Sequence, residues 1–374
     1  MKHKGLIFGC LLINFISLKI NAQKSDWLIR SGYQGSRLVV HTPKFKVNPK
    51  GIANTFEVSL SKKVSGNKYW HHRLKFPKYG FLIKFIDLGQ PSAVLGDALG
   101  AIGYYDFTLK SRMKSRSYFF IGTGISYNTK VYHFKNNPLQ TAISTPLNNL
   151  TSFEYRYEWK CTQHWNYYTG LSLNHLSNGS FKSPNLGLNY IGIILGLSQY
   201  ESKARQDYQD SIPKIKKWSI GLNYGIAYIE DKLYNGPKYR IQNINLQFSY
   251  EYALYRIINC GFDIEQHDLS AYFAYRTELT ADVKSAYNLS LRLHVFAGHE
   301  WLIGSTSIEA RMGYQVRKGG VITGIPLYTK LIFNYNIPIR FISGLSMDAG
   351  ITLKAHYGNA EYISLNLGLT QNLF

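Results

Sequence analysis

Residues 153–160 read Phe-Glu-Tyr-Arg-Tyr-Glu-Trp-Lys, so that aromatic and charged side chains alternate at every position. The stretch 243–250, Asn-Ile-Asn-Leu-Gln-Phe-Ser-Tyr, has the same period of two, as do residues 288–293 and residues 361–369 from Ile363 onward. A period of two places successive side chains on opposite faces of a strand. These segments therefore predict β-strands with one face against an apolar medium and the other against a polar one.

The composition indicates which apolar medium this is. The chain has 374 residues, of which 15% are aromatic and 17% are charged, with 30 Tyr and 32 Gly. After residue 22 there is no apolar run of about 18 residues, so we expect no membrane-spanning helix. Alternating segments of about ten residues in a chain rich in Tyr and Gly are typical of an outer-membrane β-barrel. A soluble Greek-key β-sandwich also alternates, but it seldom needs so many aromatic residues.

The first 22 residues read as an export signal. Lys2-His3-Lys4 is basic, residues 5–18 are apolar, and the small residue Ala22 follows. We predict a signal peptide over 1–22 with cleavage after Ala22. The formal net charge of +21 suggests a polyanionic partner. Export argues against nucleic acid and favours a phosphorylated lipid surface.

The remaining chain divides into two halves joined by a polar stretch. We predict a first barrel half over 27–200, a connecting loop over 201–216 and a second barrel half over 217–374. The fold class is all-β, an antiparallel transmembrane outer-membrane barrel of about 14 strands, with a range of 12–16. The alternative is two consecutive eight-stranded barrels.

A weak internal repeat supports that alternative. The first half ends with His175-Leu-Ser-Asn and then Asn189-Tyr-Ile, and the second half ends with His356-Tyr-Gly-Asn and then Glu361-Tyr-Ile. Chance similarity between membrane strands competes with duplication as the explanation. The second copy has Gly358 at the position of Ser177, so we expect the second half to share the structure of the first without its catalytic activity.

Polar residues interrupt the apolar face near residue 175. His175 and Ser177 share a strand face with Leu171 and Leu173, and Asn189 shares one with Ile191 on the following strand. Polar groups on a lipid-contacting face are costly unless they serve a purpose. His is the commonest base that activates a Ser hydroxyl as a nucleophile. A hydrolase that cuts a membrane lipid needs its nucleophile on this face. The alternative is that these polar residues have no catalytic role and lie in the lipid headgroup zone, where polar side chains cost little.

The sequence here resembles a known family. The motif His175-Leu-Ser177-Asn178, followed by Pro184-Asn185-Leu-Gly187, is similar to that of the lipid A 3-O-deacylase (PagL-like) family. Features around Asn137-Pro138, Leu147-Asn148, Asn67 to Trp70 and Gly80 also resemble its longer bacteroidete relatives, the acyloxyacyl hydrolases. The resemblance covers roughly residues 27–200.

The resemblance implies roles for four residues. Members of this family are outer-membrane barrels in which a Ser attacks an acyl ester of lipid A. By motif match, Ser177 is the expected nucleophile, His175 the general base and Asn178 an oxyanion contributor. Asn189 stands where the family has a Glu. An amide can orient an imidazole but cannot stabilise an imidazolium as a carboxylate does.

Other candidate residues carry weaker signals. Glu154 and Glu158 could supply an acid, but their parity places them in the lumen. Glu361 occupies the repeat position of Asn189, near His356. His71 and His72 beside Trp70 suggest a metal site only weakly, and we interpret them as an interfacial loop. Cys161 and Cys260 are interpreted as unpaired rather than as a disulfide.

We therefore predict an outer-membrane esterase that removes an ester-linked acyl chain from lipid A or a related membrane lipid by Ser/His catalysis. The expected partner is lipid A (lipopolysaccharide) in the outer membrane, with no nucleic acid, no cofactor and no metal. A homodimer is left open. The competing class is a non-enzymatic pore or structural barrel that retains the motif, which predicts an open lumen. A surface-binding protein, which predicts long aromatic loops, is the third class.

Overall fold

A computed structural model provides the structure of the chain. It describes residues 27–199, 215, 218–231, 234–317, 326–357 and 359–373. The predicted signal peptide over 1–22 lies outside the described residues, as do Gly358 and all of the predicted 201–216 loop except residue 215.

The first half of the chain forms a closed barrel of eight antiparallel strands. Its strands are β1 Trp27–Leu38, β2 Ala53–Lys63, β3 Lys78–Asp87, β4 Asp97–Ser111, β5 Ser115–Asn128, β6 Leu147–Lys160, β7 Trp165–Ser177 and β8 Leu188–Gln199. Each strand pairs with the next along the chain. Pairing of β1 with β8, from Arg30 opposite Ser198 to Leu38 opposite Tyr190, closes the barrel.

The second half forms a separate closed barrel, also of eight antiparallel strands. Its strands are β9 Trp218–Glu230, β10 Lys238–Ala253, β11 Arg256–His267, β12 Leu291–Ile303, β13 Thr306–Arg317, β14 Leu327–Pro338, β15 Leu345–His356 and β16 Asn359–Asn372. Pairing of β9 with β16, from Ser219 opposite Asn372 to Ile226 opposite Leu365, closes it.

The prediction of one barrel with about 14 strands was therefore wrong, and the alternative of two eight-stranded barrels is correct. The physical reason is that alternation reports the two faces of each strand but not its neighbours. Closure depends on the pairing of the first and last strands of each half, whose paired residues lie 139–168 positions apart in the sequence. Each half has enough strands to close on itself.

In the described residues, four short helices occupy three of the connections. They are α1 Tyr69–Arg73, α2 Ser92–Leu95, α3 Asp268–Arg276 and α4 Val283–Ser290. Helices α3 and α4 pack on each other through Ala271, Ala274 and Ala286 between β11 and β12. Among the described residues, none of the helices combines the length and the apolarity needed to cross a membrane.

The two barrel walls face outward with apolar side chains and inward with charged ones. On the outside, Phe81 and Leu365 are 71% and 65% exposed. In the first lumen, Arg30 and Lys84 each bridge the same two carboxylates, Glu57 and Glu154, at 3.1–3.2 Å. The lumen of the first barrel is therefore filled by a network of ion pairs.

The second lumen contains a comparable arrangement. Lys330 lies 2.8 Å from Asp263, and Lys354 lies 2.6 Å from Glu265. A polar cavity of about 190 Å³ lies beside this network and is lined by residues that include Asn243 and Arg311.

We call the end of the first barrel that carries the connections after β1, β5 and β7 the site end. In the second barrel, the site end is the one that carries the connections after β9 and β15, and residues there contact the loop after β7. The turn 112–114 after β4 and the turn 303–306 after β12 lie at the opposite end. The barrels touch at both ends. At the opposite end, for example, Tyr105 Oη lies 2.7 Å from Thr306 Oγ1.

Candidate active site

The candidate residues lie where β7 and β8 reach the site end of the first barrel. His175 on β7 is the register partner of Asn189 on β8. Below them, on the same outer face, Leu171 and Ile193 are 61% and 57% exposed. The side chain of Ser177 is nearly buried, at 4% exposure, where β7 meets the following loop. The polar cluster thus continues the apolar outer wall rather than the lumen.

A chain of hydrogen bonds orients His175. Its Nδ1 lies 2.6 Å from Asn189 Oδ1. Because a carbonyl oxygen only accepts, His175 Nδ1 carries the proton and Nε2 is left with a free lone pair. The imidazole is therefore held in the tautomer that a general base at Nε2 requires.

His41, in the connection after β1, fixes the orientation of the Asn189 amide in turn. Asn189 Nδ2 lies 3.2 Å from His41 Nδ1, and His41 Nε2 lies 3.0 Å from Leu186 O. Nε2 donates to that carbonyl, so Nδ1 of a neutral His41 is an acceptor for the amide. Val39 O also lies near His41 Nδ1, at the longer distance of 3.5 Å. Sequence reasoning missed His41 because 148 residues separate it from Asn189.

Glycine at position 187 is needed to seat the imidazole. Its backbone has φ +75°, the left-handed region that favours glycine, and a Cβ there would lie 2.9 Å from His175 Cε1. The Pro-Asn-Leu-Gly block therefore has a steric role beside His175.

Two N–H donors converge on the Ser177 hydroxyl. Asn185 Nδ2 donates to Ser177 Oγ at 2.8 Å, and Gly179 N donates to it at 3.1 Å. The carbonyl oxygen of an ester attacked by this hydroxyl would lie next to Oγ, so both N–H groups are candidate donors to an oxyanion there. Asn185 is part of the motif that resembles the family, but the sequence alone did not predict a role for it.

The side chain of Asn178 points to different partners. Its amide donates to Ser144 Oγ and to Lys182 O, both at 2.9 Å. Only its backbone N–H reaches the site, where it donates to Asn185 Oδ1 at 3.1 Å. Asn178 thus holds the loop together and orients Asn185.

A polar patch beside the cluster was also missed. Thr151 is the register partner of His175, and Asn149 that of Ser177. Thr123 and Thr151 hydroxyls lie 3.0 Å apart, and Asn149 donates to Thr123 Oγ1 at 3.0 Å. The parity of residues 149 and 151 with Phe153 was a signal that could have placed them on the outer wall. The patch extends the polar surface from β7 and β8 onto β5 and β6.

The rejected carboxylates lie elsewhere. Glu154 is in the lumen with Arg30 and Lys84, and Glu158 Oε2 accepts from Ser198 Oγ at 2.6 Å. In the second barrel, Glu361 lies 2.9 Å from His356 Nε2, but Arg292 and Lys354 also bind it, at 2.7 and 3.1 Å.

His71 and His72 bind the backbone of their own connection. His71 Nδ1 accepts from Gly66 N at 3.1 Å, and His72 Nε2 lies 2.7 Å from Gly66 O. Burial, with the nearby charge of Lys68, lowers the pKa of His71 to about 4. The described part of the chain contains no grouping of His, Cys, Asp and Glu suited to a metal ion.

Both cysteines that the structure describes are free thiols. Cys161 follows β6 in a turn of the first barrel, and Cys260 lies on β11 of the second. Both are exposed, and neither is in the candidate site.

Two family models match the chain. The model described as "Lipid A 3-O-deacylase (PagL)" matches residues 51–198, which make up most of the first barrel. The model described as "Acyloxyacyl hydrolase, C-terminal domain" matches residues 216–373, which make up the second. The family resemblance seen in His175-Leu-Ser177-Asn178 is confirmed, and the second match extends it beyond residue 200.

The solved structures that match share little sequence with this chain. A Rhodopseudomonas blastica porin triple mutant is 10% identical, with 92% of this chain and 99% of the porin covered, at a TM-score of 0.20. The transport unit of the Escherichia coli autotransporter AIDA-I is 13% identical, with 98% and 97% covered, at 0.18. P. aeruginosa FpvA, in a structure with a bound pyoverdine, is 10% identical, with 93% of this chain and 63% of FpvA covered, at a TM-score of 0.26. These scores are too low to carry any argument. The comparison with curated proteins gives no match.

Proposed function

Because the chain belongs to the lipid A 3-O-deacylase family and carries the C-terminal domain of acyloxyacyl hydrolases, we propose that it is an outer-membrane esterase. It removes an ester-linked acyl chain from lipid A or a related membrane lipid. The observation that carries this proposal is the position of Ser177. Its hydroxyl receives two N–H donors, and it shares the outer face of β7 with a base of fixed tautomer. That face is where a membrane lipid lies.

In the proposed mechanism, Ser177 Oγ attacks the acyl carbonyl while its proton passes to His175 Nε2. The N–H groups of Gly179 and Asn185 stabilise the negative oxygen of the tetrahedral intermediate. Its collapse breaks the ester bond, and His175 gives the proton to the departing lipid alcohol. Water, activated by His175, then cleaves the acyl-serine and releases a fatty acid.

Asn189 takes the place of the family's acid in this scheme. An amide in a triad lowers the rate severely, by about 10⁴-fold, where it enforces the wrong tautomer of the histidine. Here the hydrogen bond from Asn189 Nδ2 to His41 keeps Oδ1 toward His175. The correct tautomer is thereby retained, although the charge that would stabilise an imidazolium is not. We expect a working but slower enzyme.

Exposed cations near the site suit a phosphorylated substrate. Lys44 and Lys46 lie in the connection that contains His41, and Lys130 and Lys135 lie in the one after β5. Together with the net charge of +21, they provide partners for lipid A phosphates. The polar patch of Thr123, Asn149 and Thr151 provides a surface for the sugar beside the ester.

The alternative is a pore or structural barrel that retains the motif. A pore needs an open lumen, whereas Lys84 is fully buried among carboxylates in the first barrel. The lumen of the second barrel likewise contains buried ion pairs, Lys330 with Asp263 and Lys354 with Glu265. These observations favour the esterase.

The test is the lipid A mass spectrum of cells that express the wild type or Ser177→Ala. We expect loss of one acyl chain with the wild type only. Fully acylated lipid A with both proteins, each folded in the outer membrane, would overturn the proposal for this substrate. Conductance across vesicles containing the wild type would then support the pore.

A further inference from the structure

The loop between Ser177 and Asn185 is held by the second barrel. It begins at the nucleophile, contains Gly179, and ends at the second donor to the hydroxyl. Its position therefore decides where both donors lie.

Glu230, the last residue of β9, makes the central contact. Its carboxylate accepts a short hydrogen bond from Ser183 N, and its other oxygen lies 3.0 Å from Lys238 Nζ. Lys238 also donates a short hydrogen bond to Phe181 O. Glu230 is 6% exposed, whereas the Lys238 side chain is 33% exposed, so the carboxylate is the buried member of this ion pair. Two backbone groups of the loop are thus bound by one ion pair of the second barrel, whose carboxylate is buried.

Further contacts hold the first part of the loop. Ser180 Oγ donates to Ala360 O at 2.9 Å, and Glu230 N donates to Ser180 O at 3.2 Å. Ser180 has φ +65°, a conformation that residues other than glycine rarely adopt without outside support. At Gly179, also left-handed with φ +61°, a Cβ would lie 2.4 Å from Ile363 Cγ1. The second barrel packs against the backbone that presents the Gly179 N–H.

We propose that the second barrel positions the oxyanion loop of the first, with Glu230 and Lys238 as the positioning residues. This inference rests on the proposed function and assigns a role to the C-terminal domain. Neither residue touches the substrate. They act by keeping Gly179 N and Asn185 Nδ2 on the Ser177 hydroxyl.

The experiment compares full-length variants for deacylation of detergent-dispersed lipid A and for the rate at which a fluorophosphonate labels Ser177. We expect Glu230→Ala to lower both kcat and the labelling rate by about 10- to 100-fold, with KM changed less than about twofold. Glu230→Gln keeps an acceptor for Ser183 N and should restore most of the activity.

Tyr105→Phe is the matched control. It removes an inter-barrel hydrogen bond at the opposite end, and we expect no change in kcat. Heat-modifiable gel mobility reports folding, and Lys238→Met and Ser180→Ala serve as second variants if Glu230→Ala does not assemble.

The outcomes separate the two proposals. Equal labelling of the wild type and Glu230→Ala, with equal kcat, would overturn the positioning role. The same loss in Tyr105→Phe would also overturn it, because the effect would then be general. If the wild type is neither labelled nor active, the proposed function itself fails.

Discussion

The orientation of the Asn189 amide can be reversed by changing its partner. The substitution His41→Lys exchanges an acceptor for a charged donor. The introduced ammonium group would then hydrogen-bond to Asn189 Oδ1 and turn Nδ2 toward His175, which enforces the tautomer whose Nε2 carries the proton. The substitution His41→Phe only removes the partner and retains a ring near Phe45, which lies 6.3 Å from His41 between ring centroids.

The size of the effect follows from the contacts. The lost hydrogen bond from Asn189 to His41 contributes about 1 kcal/mol, and a new bond from an ammonium group about 1.5–3 kcal/mol. Their sum is roughly 3 kcal/mol, or about 100-fold in rate. Because position 41 is exposed, we discount this to about 30-fold for His41→Lys. In His41→Phe, nothing favours the Asn189 orientation that points Oδ1 at His175, but nothing favours the reverse orientation either. We therefore expect kcat to fall only a few-fold.

The assay is kcat for lipid A deacylation at a pH well above the usual histidine range. Each variant is also made in an Asn189→Glu background. A carboxylate has no donor to turn inward, so His41→Lys should be nearly neutral there. His164→Lys, at an exposed position at the opposite end, is the matched control. Equal losses for His41→Lys in both backgrounds would refute the tautomer argument.

Three further predictions concern single residues. Asn185→Ala should lower kcat by about 100-fold with little change in KM, because one of two donors to Ser177 is lost; an unchanged kcat in a folded variant would exclude it from the oxyanion role. Gly187→Ala should abolish deacylation while leaving the heat-modifiable barrel folded, because the added methyl displaces the imidazole; full activity would contradict this steric role. Lys84→Met should destabilise the first barrel by about 3 kcal/mol in urea unfolding, because two buried carboxylates each lose one of the two cations that bind them, whereas Lys110→Met at an exposed position should not; equal stabilities would contradict the buried network.

The sequence predicted the strands well because alternation is local. Residues 153–160 lie within β6, and their charged members, Glu154 among them, face the lumen as parity requires. The outward face of His175 and Asn189 followed from the same rule. Barrel closure did not follow, since it depends on the pairing of β1 with β8, whose residues are remote in sequence.

The site was predictable in part for the same reason. His175, Ser177 and Asn189 are visible as polar interruptions of apolar stripes. The partners of Asn189 and of the oxyanion loop are not. His41 and Glu230 come from other connections and from the other barrel, and neither position breaks a local pattern. The motif match named Asn178 as the oxyanion contributor and gave Asn185 no role. In the structure, the loop brings the side chain of Asn185 to the Ser177 hydroxyl and directs that of Asn178 to Ser144.

Each barrel has a histidine paired with a polar side chain of the following strand, His175 with Asn189 and His356 with Glu361. The second keeps the contact between a histidine and a carboxylate, His356 with Glu361, but has Gly358 where a nucleophile would stand. Arg292 and Lys354 bind the same carboxylate, so its negative charge is neutralised mainly by these two cations and not by the histidine. The first barrel has Ser177 two residues after its histidine and an amide, Asn189, as the partner of that histidine, and His41 orients the amide. If the C-terminal barrel has no chemistry of its own, its contacts with the loop after Ser177 are what links it to catalysis, and a variant of Glu230 measures that link directly.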